Sequence, residues 1–553
     1  MLSQALLTVR LWLAMQPFSR MAWVLAALIA AAAVLDAFSV RAASGLTRSS
    51  YDTMVRWRLW AAPPDPRVLI VDIDEVSLAR MAPEFGRWPW PRDALATVQK
   101  HLDAQGAAVV LWDISFVDAD KLSPGGDAAF DAAVAASPSS LISVTRLSAA
   151  NDGLSQLTRT HLPNLWVDGP NAAHAQTAPV ALLAPALRSL AASRLGLPNA
   201  QPEVDGVLRR HRLLEPLADG SALKSLAYSA AEMVQQRSGG ALAMAPAKQL
   251  GTESLIAWRK HLGAYPRLGF ADLFAQAERA LAGVEKTTNR TFAGKILIVG
   301  STAPGLHDFH ATPLSPLMPG VESLATLVDN AVNGRVVQEQ TRLTQALLAG
   351  LLCALAAFWV NQRGALSLTP MLLGAPSAML LLCFASLHTS WFIDLRLAAL
   401  CVFALLSTLQ VVDGLRREHW LRGFPSGEAM QRGVQVSCAI APKPLNDHDL
   451  TKLMDALSQH APSARLRVSE QVASWPLDTR WPHLARCVAA VHVASDQQTV
   501  RSLLQHVLKI DELVCAPVDT RASNANARAM IDSRVLLQWA MLSKTDTHGQ
   551  ANA

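Results

Sequence analysis

Charge is scarce in this chain: Asp, Glu, Lys and Arg make up 17% of its 553 residues, against 51% hydrophobic ones. So apolar a composition excludes a disordered or linker-dominated protein. The 49 basic and 44 acidic residues leave a net charge of only +5, too little over this length to argue for a nucleic-acid partner. Cysteine is rare too. All six, Cys353, Cys383, Cys401, Cys438, Cys487 and Cys515, lie after residue 342, so the stretch from 41 to 342 carries no thiol. That suits an oxidising compartment for this stretch and a reducing one for the tail. No C-x-x-C spacing occurs, so no metal and no cofactor is assigned.

Glycine is missing where nucleotide chemistry needs it. None occurs from Val434 to His548, whereas phosphate-binding loops use glycine to bring backbone amides close to the ligand. A P-loop, a kinase glycine-rich loop and histidine-kinase glycine boxes are thereby excluded from the tail, and the G-G-D-E-F word is absent. No G-x-S-x-G elbow precedes a helix, and His307 and His310 lack a metalloprotease glutamate pattern. Gly125-Gly126-Asp127 lacks the lysine and hydroxyl of a phosphate loop and reads as a turn.

What the chain does have is apolar length, with a mean hydropathy of +0.21. Met21 to Val40 carries one charge, Asp36, between Arg20 and Arg41, and is long enough to span a bilayer. A cleaved signal peptide is the competing reading, set against an unusually long apolar leader. Twenty uncharged residues separate Arg342 from Arg363, thirty run from Gly364 to Ile393, and sixteen from Leu397 to Val412. Four transmembrane helices follow, at 21–40, 343–362, 366–388 and 391–412, with Trp391 and Phe392 as an interfacial anchor and Arg396 reaching towards headgroups. Arg10, Arg20, Arg363, Arg416, Arg417 and Arg422 all fall on one side, which the positive-inside rule makes the cytoplasm. Residues 1–20 and a 424–548 domain are then cytoplasmic, both termini inside, and 41–341 is exported. The arginines after the last span read as topology signals with a weak attraction to anionic lipid.

The exported segment reads as α/β. Val68 to Val71 is a buried strand ending in Asp72-Ile73-Asp74-Glu75; a helix from about Pro91 to Gly106 leads to a second strand, Ala108 to Trp112, before Asp113. Such a unit crosses over into a parallel pair. Lys295 to Val299 is a further strand running into Gly300-Ser301-Thr302, and Val321, Leu324, Leu327 and Val328 form a helical stripe ended by Gly334. Loops at the carboxyl ends of parallel strands form the usual ligand crevice. Asp72, Asp74, Asp113, Ser301, Thr302, His307 and Asp308 lie on them. They are candidates to bind a small polar ligand or cation; equally, the acids and hydroxyls could cap helices and loops. In the tail, candidate strands at 434–440, 466–468, 488–493 and 513–518 alternate with helices at 450–460, 499–508 and 527–542.

Several words of the exported segment carry a resemblance: Tyr51-Asp52, Val71-Asp72-Ile73-Asp74-Glu75, Gly86-Arg87-Trp88-Pro89-Trp90-Pro91-Arg92, Gly106 to Phe116, Asp205-Gly206-Val207-Leu208-Arg209-Arg210, Phe292 to Ala303, His307-Asp308, Thr312-Pro313 and Pro319-Gly320-Val321-Glu322. Over roughly 45 to 340 the chain resembles the second type of the sensory extracellular domain associated with cyclases and histidine kinases (CHASE type-2). One span before and three after is also that family's usual arrangement. The resemblance implies a bacterial extracytoplasmic, here periplasmic, sensor in the inner membrane, and supplies no catalytic residue. Its relatives usually end in a cyclase, a kinase or a diguanylate cyclase, and this tail departs from all of them.

The expectation is an integral membrane sensor that detects an unknown extracytoplasmic small ligand and relays it to a cytoplasmic signalling protein, with the lipid bilayer and a possible homodimer as its other partners. A structural scaffold of a membrane assembly is the alternative, and a signalling enzyme with a divergent active site in the tail is the second.

Overall fold

The computed structural model describes residues 16–40, 44–120, 123–169, 178–198, 200–239, 253–284, 290–306, 308–335, 337–363, 368–387, 389, 391–417, 436–441, 447–460, 465–469, 489–494 and 516–518. They fall into two compact units: residues 45–340 with 383–393, and residues 1–44, 341–382 and 394–553.

After an apolar helix, α1 (Phe18–Leu35), helix α2 (Ser44–Trp57) leads into the first unit. Among its strands are β1 (Val68–Ile73), β2 (Val109–Trp112), β3 (Ser140–Ser143), β4 (Leu195–Gly196), β5 (Arg210–Arg212), β6 (Glu253–Leu255), β7 (Arg267–Gly269) and β8 (Ile296–Ser301). Six of them form one wholly parallel sheet in the order β7-β1-β8-β2-β3-β4. β5 and β6 make a separate antiparallel ribbon. The near-continuous apolar runs are those of a sheet covered on both faces: Ile70, Val71 and Ile73 of β1 and Ile296 to Val299 of β8 are all fully buried. Helices α3 (Glu75–Phe85), α4 (Arg92–Ala104), α5 (Pro124–Ala136) and α7 (Phe270–Leu281) pack on one face; α6 (Leu226–Ser238) and α8 (Gly320–Val332) pack on the other.

Two expectations change. β1 and β2 are parallel but not neighbours, because β8 slots between them, pairing Val68 to Ile73 on one side and Val109 to Trp112 on the other. Gly125-Gly126-Asp127 is no turn. It forms the first turn of α5 behind Pro124, whose fixed φ suits that position. A Cβ on Gly126 would lie 3.1 Å from the Asp93 amide nitrogen, so glycine lets the starts of α4 and α5 meet. The Trp88 to Arg92 segment packs inward as scaffold. Trp90 is 2% exposed, its ring 5.0 Å from Trp88 and 5.1 Å from Phe270, and Arg92 pairs with Asp127.

In the second unit α1 packs with α9 (Arg342–Arg363), α10 (Leu368–Ser386) and α11 (Arg396–Arg417). Among the described residues four helices are thus long and apolar enough to cross a membrane, one before the sheet and three after it. The α1–α9 seam is built from small residues, Ala22, Ala26 and Ala33 against Ala346, Ala349, Cys353 and Ala357, which lets backbones approach where lipid offers no hydrophobic drive. Leu28, Leu347, Leu351, Leu373 and Leu381 face outward.

Two arginines depart from their expected roles. Arg396 does not reach for headgroups; it is buried, with Nη2 2.6 Å from Asp394 Oδ2. Trp391 and Phe392 precede α11 as a short strand, not as a turn of helix. Arg416 is fully buried, bonded to Asp455 Oδ1 at 2.5 Å with its guanidinium 5.5 Å from the Phe18 ring. Asp455 belongs to α12 (Asp447–His460) and also accepts the Phe18 amide at 2.8 Å. A charge this deep needs a partner, and the tail helix supplies it.

The tail's four expected strands are present, at Val436–Ala441, Arg465–Ser469, Ala489–Ala494 and Ala516–Val518. All pair antiparallel, the third lying between the first two and the fourth on the first strand's other side. The helices expected at 499–508 and 527–542 lie outside the described residues.

Candidate functional site

Carboxyl ends of β1, β2 and β8 gather most of the expected site residues on one sheet edge. Asp72, 4% exposed, accepts the Thr302 amide at 3.1 Å and the Thr302 hydroxyl at 2.8 Å, and pairs with Arg267 Nη1 at 3.3 Å. Burial raises its carboxyl, against the pull of Thr302 and Arg267. Its oxygens are thus committed within the protein. Asp74 is the N-cap of α3, accepting the Ser77 amide at 2.7 Å. Ser301 donates to the Ile73 carbonyl at 2.8 Å and accepts the Ala303 amide. These contacts are what caps and loop ties would make.

Asp113 and Asp308 differ. Asp113 is only partly covered at its surface yet densely surrounded, so burial pushes its carboxyl up to about 7, and the nearby Asp308 carboxylate adds to the rise. Asp308 is raised as well, by burial, with His310 working the other way from 3.8 Å. It sits in the space that a side chain on Gly320 would take: a Cβ there would lie 2.5 Å from Asp308 Cγ. Two raised carboxyls near one another are suited to accept a cation or a donor from a polar guest. His307 lies outside the described residues.

Two residues of this edge escaped the sequence reading. Arg267 sits on the three-residue strand β7, too short to leave a pattern. Glu322, 2% exposed, holds Arg267 Nη2 at 2.7 Å and accepts the Ala264 amide at 3.3 Å; the Pro319-Gly320-Val321-Glu322 word was its signal.

A second constellation uses words that carried the resemblance but suggested no role. Arg209, its side chain 3% exposed, grips Asp52 of α2 with two bonds of 2.7 and 2.6 Å and also binds Glu203 and Asp205. Burial works against its charge, but Asp52 and Asp205 outweigh that and hold the guanidinium above the usual arginine range. Arg210 bridges Glu203 and Glu339, and Arg48 of α2 adds a 3.2 Å bond to Glu203. Glu339 lies on β9 (Gln338–Glu339), which pairs in parallel with β10 (Trp391–Phe392). Phe392 stacks edge-on against Tyr51 at 5.6 Å. One collar thus joins the linker after the first span, the linker before the second and the connection between the third and fourth.

Helix α8, which leads to the second span, has its own anchor. Asp329 is 0% exposed and takes bonds from Arg259, Tyr265, Asn333, Arg335 and the Asp65 amide. Removing one member would strand the others. Among the described residues no group of three or more His, Cys, Asp or Glu could hold a metal ion.

Comparison with known families bears on all of this. Neither curated proteins nor solved structures give a significant match. Residues 24–360 match the model of the CHASE2 domain, an extracytoplasmic sensory domain, and the matched stretch includes the sheet, the ion networks of Arg209 and Asp329, and most of the first two candidate spans. With more than half of its 553 residues inside that match, the chain belongs to the CHASE2 domain family as a multi-pass membrane protein.

Proposed function

We propose that the protein is a bacterial inner-membrane sensor: the 41–341 domain is periplasmic, both termini are cytoplasmic, and the 424–548 domain passes the signal on by binding a cytoplasmic partner. The ligand is a small polar molecule or cation taken at the sheet edge. Asp113 and Asp308 are its principal contacts, with Thr302 and Asp72 around them. Differential affinity for two packings of the edge drives the response. The change runs from the Asp308–Gly320 contact along α8 to the second span, and through the collar to the other two linkers.

The observation that carries this reading is the collar itself. A domain that only covered the membrane would need no buried ion network tying three membrane linkers to one another.

The test is a thermal-shift screen of the full chain in lipid nanodiscs, with divalent cations, polyamines and small sugars as probes. We expect a probe whose stabilisation disappears in Asp113→Ala and in Asp308→Ala. A stabilising probe that acts equally on both variants would refute the edge site.

One observation favours the scaffold reading. Asp72, Asp74 and Ser301 already have their partners inside the protein. That reading expects no probe to act and the collar to be as rigid as the sheet.

A further inference from the structure

A pocket opens between the β5–β6 ribbon and the C-terminal half of α8, lined by His211, Ser254, Asn330 and Arg335 over an apolar floor that includes Leu213 and Leu327. It is small, about 20 Å³ inside its mouth, with room for roughly one water-sized group. A guest of few atoms is all it admits.

Donors outnumber acceptors around it. His211 is 9% exposed and its Nε2 has no hydrogen-bond partner, an arrangement that costs free energy unless something fills it. Burial depresses its imidazole to about 4, so it is neutral and Nε2 can carry the one ring proton. Asn330 turns its carbonyl oxygen to Arg259 Nη2 at 3.0 Å. Guanidinium nitrogens only donate, so this fixes the amide and leaves its NH2 for the pocket. Arg335 spends Nη1 on Asp329 at 3.1 Å and on the Pro63 carbonyl, and its side chain is 30% exposed.

The surrounding charge is also unbalanced. Arg67, Arg259 and Arg335 share two carboxylates, Asp65 and Asp329. Arg58 lies against the same cluster, bonded to the Trp258 and Arg259 carbonyls. Four guanidiniums thus face two carboxylates.

We propose that this pocket binds a small monovalent anion, of the size of chloride or formate, held by Arg335, the Asn330 amide and the imidazole N–H of His211. The site is separate from the sheet edge. Seated between α8 and β5, whose first residue is the collar's Arg210, the anion would brace the helix that leads to the second span. A neutral water in the same place would satisfy His211 without balancing the charge.

Full-length protein in nanodiscs, unfolded by heat and followed by tryptophan fluorescence, tests this in sodium chloride, sodium formate and sodium gluconate at equal ionic strength. We expect chloride and formate to raise the wild-type midpoint by about 2–4 °C over the bulky gluconate. His211→Phe removes the unpartnered nitrogen in exchange for a somewhat larger ring, and it should lose the anion effect; Arg335→Gln should lose it too. Asp113→Asn, at the sheet edge, should keep it. Chloride NMR line broadening, present in wild type and absent in His211→Phe, reads the same binding without unfolding. Equal midpoints in all three salts, or an undiminished chloride effect in His211→Phe, would overturn the proposal, and the first result would mark the guest as water.

Discussion

Single residues decide most at Asp113 and Gly196. An unfolded aspartate titrates near 3.9, whereas burial holds Asp113 up at about 7. Between these values the folded state binds more protons than the unfolded one, so this carboxyl subtracts stability as pH rises from about 4 to about 7. Asp113→Asn should therefore gain on wild type by roughly 1–3 kcal/mol at pH 8 and by about a third of that at pH 5, as read by denaturant unfolding at both pH values. His211, depressed to about 4, acts with the opposite sign over much of the same range, which is why the comparison is between variant and wild type. A difference that does not change with pH would contradict the burial argument. At Gly196 an added Cβ would meet the Leu226 backbone at 2.7 Å. Backbone cannot rotate aside, so Gly196→Ala should destabilise by about 3 kcal/mol. Neither effect was legible in the sequence. Asp113 reads as one of several acids after strands, and the glycine marks a contact with a helix thirty residues on. What separates Asp113 from Asp72 is the set of partners that Asp72 has, the hydrogen bonds of Thr302 and the charge of Arg267.

Elements with long buried runs were legible, and very short ones were not. β1 and β8 stand out because each opens with four consecutive apolar residues, Val68 to Val71 and Ile296 to Val299. β4 and β7, of two and three residues, have no period to detect; they exist because neighbouring strands present open ladders. The collar was hidden for a different reason: Arg209 and Asp52 are 157 residues apart and Arg210 and Glu339 are 129 apart. Their words carried the family likeness, yet nothing in the words says that they meet. Arg209→Ala would leave Asp52, Glu203 and Asp205 without their shared cation. We expect a local loss of roughly 2–4 kcal/mol, seen as faster hydrogen exchange in α2 and around β9 and β10, with β1 and β8 unchanged. Faster exchange in the central strands instead would mean that the collar is only another part of the core. The tail makes a parallel case. Asp455→Asn should loosen α12 by weakening its hold on the buried Arg416, so that exchange at 447–460 rises while α1 and α9 keep their protection.

At the scale of the whole molecule, hydropathy and thiol placement located the spans and the exported domain before any fold was known. Charged flanks were less informative than they looked. Arg396 and Arg416 are buried and paired with aspartates, so their positions answer to packing as well as to the membrane. The central claim is a division of compartments: a sheet domain outside that senses, and a tail inside that answers. Labelling intact and permeabilised cells with a membrane-impermeant maleimide tests it most directly, with the tail's own Cys438, Cys487 and Cys515 as one probe and Val204→Cys, at a site 87% exposed, as the other. The account predicts that Val204→Cys labels in intact cells and that the tail cysteines label only after permeabilisation. Tail labelling in intact cells, or protection of Val204→Cys until lysis, would contradict it.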